Sequence, residues 1–309
     1  MTRVLFAAPA ARWSQYETPL RAAFAARDLD VDLACDHAPE TVDYIVYAPA
    51  SGLTDFTPFT GLKAVLNLWA GVEDVAPNPT LSVPLARMVD PGLTEGMVEW
   101  VTGHVLRYHL GIDRSVDAQN GAWDRHIPPL ARERRVGMLG LGQLGTAVAR
   151  ALTALNFDVA GWARREKHID GIACHHGAEG LETLLTRSEI VVLLLPSTPQ
   201  TENTLNARTL ARMPRGAFIV NPGRGALIDD AALLGALETG QIAHATLDVF
   251  RQEPLPPDHP YWAHPNVTVT PHIAADTRPS TAAHVIAENI ARCEAGKPLL
   301  NLVDRAAGY

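Results

Sequence analysis

The segment RVGMLGLGQLG, residues 135–145, holds three glycines in the spacing G-x-G-x-x-G. The apolar run Arg135–Leu139 comes directly before the first glycine, and a helical pattern of apolar residues follows the last. In this spacing Gly140 permits a tight turn, Gly142 lets the backbone approach a pyrophosphate, and Gly145 lets helix and strand pack closely. The helix N-terminus adds N–H donors and a positive dipole end for the phosphates. The segment predicts a dinucleotide site, although a strand–turn–helix connection that binds nothing would show the same spacing.

Apolar runs and helical patterns alternate on both sides of this segment. Before it, the predicted strands are Val4–Ala8, Val31–Ala34, Tyr44–Tyr47, Ala64–Trp69 and Pro84–Met88. From the segment onward, they are Arg135–Leu139, Asp158–Trp162, Ile190–Leu195, Ala217–Asn221, Ala245–Val249 and Val267–Thr270. Such alternation is typical of parallel sheets covered by helices. The sequence therefore predicts an α/β protein with two doubly wound parallel sheets.

Two further helical patterns indicate how the predicted domains connect. In Thr94–Leu110 the apolar residues share one face, which suits a helix linking two domains. The polar, proline-rich stretch Asp124–Arg134 then leads into the second series of strands. The last pattern, Ser280–Cys293, predicts a helix that packs back onto the first domain.

Composition excludes several classes of protein. The chain has 309 residues, enough for two domains, and its net charge of −8 argues against nucleic-acid binding. Cys35, Cys174 and Cys293 do not form a disulfide framework, which predicts a reducing, cytoplasmic location. The N-terminus lacks the long apolar core of a signal peptide, and no apolar stretch is long enough to predict a membrane span.

The stretch VAGWARREK, residues 159–167, ends a predicted strand in a basic cluster. In an NAD site, an acidic residue at this strand end accepts hydrogen bonds from the ribose 2′-hydroxyl. Here the position holds Ala163, and Arg164 and Arg165 follow it. Two arginines can hold a 2′-phosphate by charge-assisted hydrogen bonds, and a carboxylate would repel it. The stretch favours NADP over NAD, with NAD and an ordinary charged surface loop as alternatives.

Three predicted strands are followed by polar residues that suit one reaction. Arg224, Glu253 and His272 each come after an apolar run, and strand ends of a doubly wound sheet meet at one crevice. Arginine can grip a carboxylate, and histidine can deliver a proton near neutral pH. A carboxylate beside that histidine favours its charged form. Each residue alone also suits an ordinary loop, but together they predict reduction of a 2-oxo acid.

Several segments resemble the D-isomer-specific 2-hydroxyacid dehydrogenases. The resemblance rests on GLGQLG (140–145), NPGRGALID (221–229), LDVFRQEPLP (247–256) and TPHIAADT (270–277), in this order. LNLWAGVE (66–73) resembles the family's substrate loop. YWAHPNV (261–267), Thr277-Arg278-Pro279 and the tail VDRAAGY (303–309) are similar to the glyoxylate/hydroxypyruvate reductase A subgroup.

The resemblance implies roles for individual residues. Arg224 would bind the substrate carboxylate and carbonyl, His272 would contact the substrate as proton donor, and Glu253 would be its partner. The implied substrate loop comprises Trp69, Ala70, Gly71 and Val72, whose backbone would cradle the carboxylate. The implied cofactor contacts are Gly140, Gly142, Gln143, Leu144, Gly145, Arg164, Arg165, Pro196, Thr201 and Asp248. The sequence leaves open whether Trp69 walls the substrate pocket or fills the core between the domains.

The resemblance also implies the architecture and the reaction. A flavodoxin-like substrate domain, residues 1–100 and 283–309, would hold an inserted Rossmann cofactor domain, residues 101–282. Family members are usually homodimers joined through the cofactor domains. The implied reaction is NADPH-dependent reduction of glyoxylate or hydroxypyruvate to glycolate or D-glycerate. Many members carry Asp where this chain has Ala163, and Pro222-Gly223 is not the commonest sequence before the arginine.

Alternatives stay open at this point. A D-lactate or phosphoglycerate dehydrogenase would share the same residues, and a cofactor-sensing, corepressor-like module could share the fold without turnover. The presence of Arg224, Glu253 and His272 disfavours the second alternative. No metal is predicted, because Cys174-His175-His176 are adjacent and do not all face one ion.

Overall fold

The computed structural model describes residues 1–121, 123 and 125–308. Asp124, where the predicted polar linker begins, and Tyr309, where the quoted tail ends, lie outside the described residues. The chain forms two compact units, Met1–Leu93 with Asp276–Tyr309, and Thr94–Ala275. None of the helices in the described part of the chain has the length and apolar character needed to cross a bilayer.

The first unit is built on a five-stranded parallel sheet. Its strands are β1 (Thr2–Ala7), β2 (Val31–Ala34), β3 (Tyr44–Tyr47), β4 (Ala64–Asn67) and β5 (Leu85–Ala86). They lie in the order β2-β1-β3-β4-β5, which is the flavodoxin-like order. Helices α1 (Ala10–Ala25) and α8 (Pro279–Glu294) pack against each other, so the predicted return of the C-terminal helix to the first domain is confirmed.

The second unit is built on a seven-stranded parallel sheet. Its strands are β6 (Arg135–Leu139), β7 (Asp158–Ala163), β8 (Ala173–His176), β9 (Ile190–Leu193), β10 (Ala217–Asn221), β11 (Ile242–Leu247) and β12 (Val267–Val269). The order is β12-β11-β10-β9-β6-β7-β8, so the direction of winding reverses between β6 and β9. Ligands of such sheets bind beyond the carboxyl ends of the strands near this reversal. The predicted fold class is confirmed.

The helices of the second unit cover this sheet. They are the greater part of α2 (Pro91–Leu110), then α3 (Ile112–Asp117), α4 (Gln143–Ala154), α5 (Gly177–Arg187), α6 (Ala207–Leu210) and α7 (Asp230–Glu238). Buried side chains of α2 and α4 pack on strands β6, β7 and β9. The compact units divide within the first turn of α2 and shortly before α8, whereas the predicted boundaries lie farther inside these two helices.

Beyond shifts of a few residues at other strand ends, such as β11 at Ile242–Leu247 against the predicted Ala245–Val249, two differences from the predicted strands stand out. β8 was not predicted, because this edge strand, ACHH, has no buried residue and therefore no apolar run. β4 ends at Asn67 rather than at Trp69, because the chain turns at Leu68 into an irregular loop although both residues are apolar. Strand β8 adds a seventh strand at the edge of the sheet. The earlier end of β4 places the predicted substrate loop immediately after a buried asparagine.

Candidate active site

The glycine loop joins β6 to α4, as the spacing predicted. Gly140 has a φ of 107°, and a Cβ atom there would lie 2.5 Å from the carbonyl oxygen of Leu194. A Cβ at Gly145 would overlap the carbonyl group of Gly140, so helix and loop pack in direct backbone contact. A Cβ at Gly142 would meet no atom within 4 Å. Packing therefore requires two of the glycines, and the third borders open space where a pyrophosphate can approach the backbone.

The N-terminus of α4 is arranged to receive an anion. Gly142 is its N-cap and has no side chain that could cap the first turn, to which Gln143 and Leu144 belong. The unpaired N–H groups and the positive end of the helix dipole at a helix N-terminus attract negative charge. A cavity of about 400 Å³ beside this turn is lined by Arg150 and Lys167, among others. Two cations next to open N–H groups suit a phosphate-bearing ligand.

The basic cluster lies at the end of β7. Arg164 and Arg165 are exposed, and no carboxylate stands at Ala163. The ammonium group of Lys167 donates to the carbonyl oxygen of Leu141 at 2.5 Å, which ties this cluster to the glycine loop. The strand end and the glycine loop are therefore held together, as a site for the ribose and phosphates of one dinucleotide requires.

The loop after β9 carries the predicted cofactor residues Pro196 and Thr201. The Thr201 hydroxyl donates to the carbonyl oxygen of Pro196 at 2.6 Å and accepts from the N–H of Thr198 at 2.9 Å. These bonds fix the shape of the loop. Cofactor contact by either residue stays a prediction.

The loop after β10 carries Arg224. It begins with Asn221, which is 1% exposed; its side chain donates to the carbonyl oxygen of Arg224 at 3.0 Å and accepts from the N–H of Gly223 at 3.1 Å. A Cβ at Gly223 would lie 2.8 Å from the carbonyl oxygen of Leu193, so the unusual glycine before Arg224 fits a close backbone approach. The asparagine thus closes a short turn that holds the backbone of Arg224.

The loop after β11 carries Glu253 and packs against the Arg224 loop. A Cβ at Gly225 would overlap the backbone of Phe250 and Arg251, so the two loops touch directly. The guanidinium of Arg251 donates to the carbonyl oxygen of Ile228 at 2.8 Å, and it also bonds to the side chain of Asn203. Glu253 itself accepts from the N–H of Phe250 at 2.9 Å.

Glu253 and His272 form a close pair. Nδ1 of His272 lies 2.7 Å from Oε2 of Glu253, and the two side chains are 49% and 35% exposed. The hydrogen bond to Glu253 raises the pKa of His272 above its usual value, against burial and the charge of Arg224. Burial raises the pKa of Glu253, but its hydrogen bonds to His272 and Phe250 and the charges of His272 and Arg224 bring the net pKa below its usual value. Nε2 of His272 has no hydrogen-bond partner among the described residues, so it can face a substrate.

Asp248 holds the loop that carries His272. This carboxylate is fully buried at the end of β11 and accepts from the hydroxyl of Thr270 at 2.6 Å and from the N–H groups of Ile273 and Ala274, each at 2.9 Å. His272 has a φ of 53°, an uncommon value for a residue other than glycine. Such strain persists only where surrounding bonds impose it, and it is frequent at functional sites. The predicted cofactor contact of Asp248 stays a prediction.

The predicted substrate loop belongs to the first unit. Trp69 packs against the core of that unit, and Val72 is buried. The side-chain amide of Asn67 donates to the carbonyl oxygens of Trp69 and Gly71, each at 2.8 Å. The N–H groups of Ala70, Gly71 and Val72 have no acceptor among the described residues.

The structure thus brings Glu253 and His272 into contact and places the charge of Arg224 within reach of both. Sequence reasoning assigned no role to the supporting residues Asn67, Lys167 and Arg251, although Lys167 belongs to the quoted basic cluster. For Asn67, a signal was available in the sequence AVLN, where a polar residue ends an otherwise apolar strand. In the described part of the chain, no group of three or more His, Cys, Asp or Glu residues is arranged to hold a metal ion.

Comparison with known proteins agrees with this geometry. Residues 103–274 match the model of the D-isomer specific 2-hydroxyacid dehydrogenase NAD binding domain. A glyoxylate/hydroxypyruvate reductase A from Serratia proteamaculans is 42% identical in an alignment of 256 residues that covers 80% of this chain and 82% of the relative.

Two crystal structures are similar over the whole chain. A D-isomer specific 2-hydroxyacid dehydrogenase from Xanthobacter autotrophicus Py2, in complex with NADPH and MES, is 43% identical with a TM-score of 0.93, covering 100% of this chain and 99% of that one. An NADPH-dependent glyoxylate/hydroxypyruvate reductase from Sinorhizobium meliloti, in complex with NADP and sulfate, is 35% identical with a TM-score of 0.85, covering 100% of both chains.

Proposed function

The chain belongs to the D-isomer-specific 2-hydroxyacid dehydrogenase family, and on that premise we propose that it reduces glyoxylate or hydroxypyruvate with NADPH. It is an NAD(P)-dependent oxidoreductase of 2-hydroxy acids. The observation that carries the proposal is the His272–Glu253 pair beside the charge of Arg224, on the edge that also bears the glycine loop. We also propose that the protein is located in the cytoplasm and forms a homodimer.

In this proposal each side chain has one task. Bound NADPH supplies the hydride that adds to the 2-oxo carbon. Arg224 binds the carboxylate and polarises the carbonyl oxygen, because its guanidinium stays charged and donates in a fork. His272 delivers a proton from Nε2 to the new alkoxide while Glu253 holds Nδ1 and favours the charged ring. The loop Trp69–Val72 offers backbone N–H groups to the substrate carboxylate.

The preference for NADPH rests on the end of β7. Arg164 and Arg165 are exposed there, and the acid that would accept from a ribose 2′-hydroxyl is absent. Lys167 holds the same segment to the glycine loop. A 2′-phosphate is attracted by this charge and meets no repelling carboxylate at Ala163. The NADPH and NADP complexes of the two similar structures support the same preference.

A steady-state assay tests the proposal. Purified protein is mixed with NADPH or NADH and with glyoxylate, hydroxypyruvate, pyruvate or phosphohydroxypyruvate, and cofactor oxidation is followed by absorbance. We expect the highest kcat/KM with NADPH and one of the first two acids. No oxidation with any acid would contradict the enzyme assignment and favour a non-catalytic module. Equal kcat/KM for the two cofactors would contradict the interpretation of the arginines, and preference for pyruvate or the phosphorylated acid would change the substrate.

A further inference from the structure

We propose that Asn67 is a positioning residue that shapes the substrate-carboxylate loop, turning two of its peptide N–H groups outward. The inference rests on the proposed function, since it concerns how the same substrate is held. Asn67 is the last residue of β4 and is only 1% exposed. It does not touch the substrate in this proposal, and its effect comes through Ala70 and Val72.

The contacts of the amide fix its orientation. Nδ2 of Asn67 donates to the carbonyl oxygens of Trp69 and Gly71, each at 2.8 Å. Turning the amide over would place its oxygen against two carbonyl oxygens, which would repel it. The Trp69 carbonyl also accepts from the N–H of Met88 at 3.0 Å. Among the described residues, the Gly71 carbonyl accepts from Asn67 alone. The side chain therefore shares the first carbonyl with the backbone and by itself holds the second toward the end of the strand.

Peptide geometry then determines where the N–H groups point. In a planar trans peptide, the C=O of one residue and the N–H of the next point in opposite directions. Because the carbonyls of Trp69 and Gly71 face Asn67, the N–H groups of Ala70 and Val72 face away from it. Neither has an acceptor among the described residues. Backbone N–H groups that face one way attract anions, and two of them can match the two oxygens of a carboxylate.

The stability cost of Asn67 indicates that the residue serves the loop. Its Oδ1 is buried with no hydrogen-bond partner among the described residues, and such burial costs free energy. The other residues of β4, Ala64, Val65 and Leu66, are apolar and buried. An apolar side chain at the end of this strand would avoid the cost. The amide is thus explained by its two donated bonds, which no apolar residue can make.

Asn67→Leu is the direct test, because leucine has a similar branched shape and no donor. For the purified full-length variant, we would measure kcat and KM for glyoxylate and hydroxypyruvate, inhibition by oxamate, and NADPH binding by fluorescence. We expect the KM for the 2-oxo acid and the oxamate inhibition constant to rise about tenfold or more, while the Kd for NADPH stays within about twofold. Asn78→Leu is the matched control, since that amide also donates to a loop carbonyl, of Thr54, in the same unit.

The outcomes separate this inference from the proposed function. If the wild-type protein reduces the acids and Asn67→Leu keeps the wild-type KM, the inference is overturned and the function stands. Equal losses for the acid and for NADPH, or the same loss in Asn78→Leu, would indicate a general structural role and also overturn it. If Asn67→Leu does not fold, Asn67→Ser keeps one donor, and we expect an intermediate rise in KM. An unchanged KM in that variant overturns the inference.

Discussion

Two buried asparagines occupy the same kind of position in the two sheets, and their loops work in different ways. Asn67 ends β4 and Asn221 ends β10, and each is 1% exposed. Asn221 uses both ends of its amide to close a turn, and the loop presents the side chain of Arg224. Asn67 uses only its donors, and the loop presents peptide N–H groups.

The difference indicates that one type of residue can support two kinds of proposed binding surface. In the proposed function, the strand ends of the second unit, after β10, β11 and β12, act through the side chains of Arg224, Glu253 and His272. The strand end of the first unit, after β4, is proposed to act through its backbone. Substitutions of Arg224, Glu253 and His272 should therefore lower activity because they remove the chemical group of the side chain. Substitutions in the loop after β4 should lower activity only where they change the conformation of the backbone.

The largest effect is expected at His272, where the chemistry depends on one side chain. His272→Ala removes the proposed proton donor, so kcat for glyoxylate reduction should fall about 10²- to 10⁴-fold. Stopped-flow or steady-state absorbance of NADPH measures it. His37→Ala, whose ring contacts the carbonyl oxygen of Asp32 in the other unit, should leave kcat unchanged. An unchanged rate in His272→Ala would remove the residue from the mechanism. It would also contradict the proposal that the second unit acts through side chains.

Asp248 should affect stability as well as rate. Asp248→Asn replaces one of two buried acceptor oxygens by an NH2 group, which would face the N–H of Ala274 or, with the amide turned over, the N–H of Ile273 and the hydroxyl of Thr270. We expect the free energy of unfolding to fall by about 2–4 kcal/mol, measured by urea denaturation. Glu253→Gln is the control, because that side chain is partly exposed and should change stability far less. Equal stability losses would contradict the division of tasks between the two carboxylates.

Arg164 tests the cofactor contact that is proposed at the end of β7. Arg164→Ala should weaken NADPH binding about 10- to 100-fold, the loss of one charge-assisted contact, and leave NADH binding nearly unchanged. Fluorescence titration with each cofactor measures both values. Arg208→Ala removes an exposed arginine that pairs with Glu182 in the same unit and should change neither. A parallel loss for both cofactors would show that Arg164 does not read the 2′-phosphate.

Glu253 should shift the pH dependence of reduction. In the proposed mechanism, reduction requires the charged ring of His272, so the rate should fall as pH rises through the pKa of that ring. Because the hydrogen bond to Glu253 raises this pKa, Glu253→Gln should move the fall to lower pH and reduce kcat at neutral pH about tenfold. Glu182→Gln, a carboxylate that pairs with Arg208, serves as control in the same pH series. A fall at the wild-type pH would contradict the pairing.

The smallest effect is expected at Ala70, where only the peptide group is proposed to contact the substrate. Ala70→Ser keeps the N–H, so the KM for glyoxylate should change by less than about twofold. The measurement is the same steady-state assay as for Asn67→Leu. A large rise in KM would show that the loop also reads the substrate through side chains, and it would remove the contrast with the second unit.

The sequence by itself determined the position of the dinucleotide loop, the positions of most strands along the chain and the three residues proposed to carry out the reaction. Glycine spacing, apolar runs and polar residues after them are local features, and local features are visible in one chain. The edge strand β8 escaped, because pairing rather than apolar character makes it a strand. The residues proposed to act on the substrate through their own side chains were therefore predictable at strand ends.

Only the tertiary structure decided which carboxylate does what and where the backbone itself offers donors. Asp248 and Glu253 look alike in LDVFRQEP, but the first bonds to Ile273 and Ala274 and the second to the ring of His272. The N–H groups of Ala70 and Val72 carry no signature at all, because every residue except proline has one. Their direction depends on carbonyls that accept from Asn67 and, for Trp69, also from Met88, and such contacts exist only once the chain has folded.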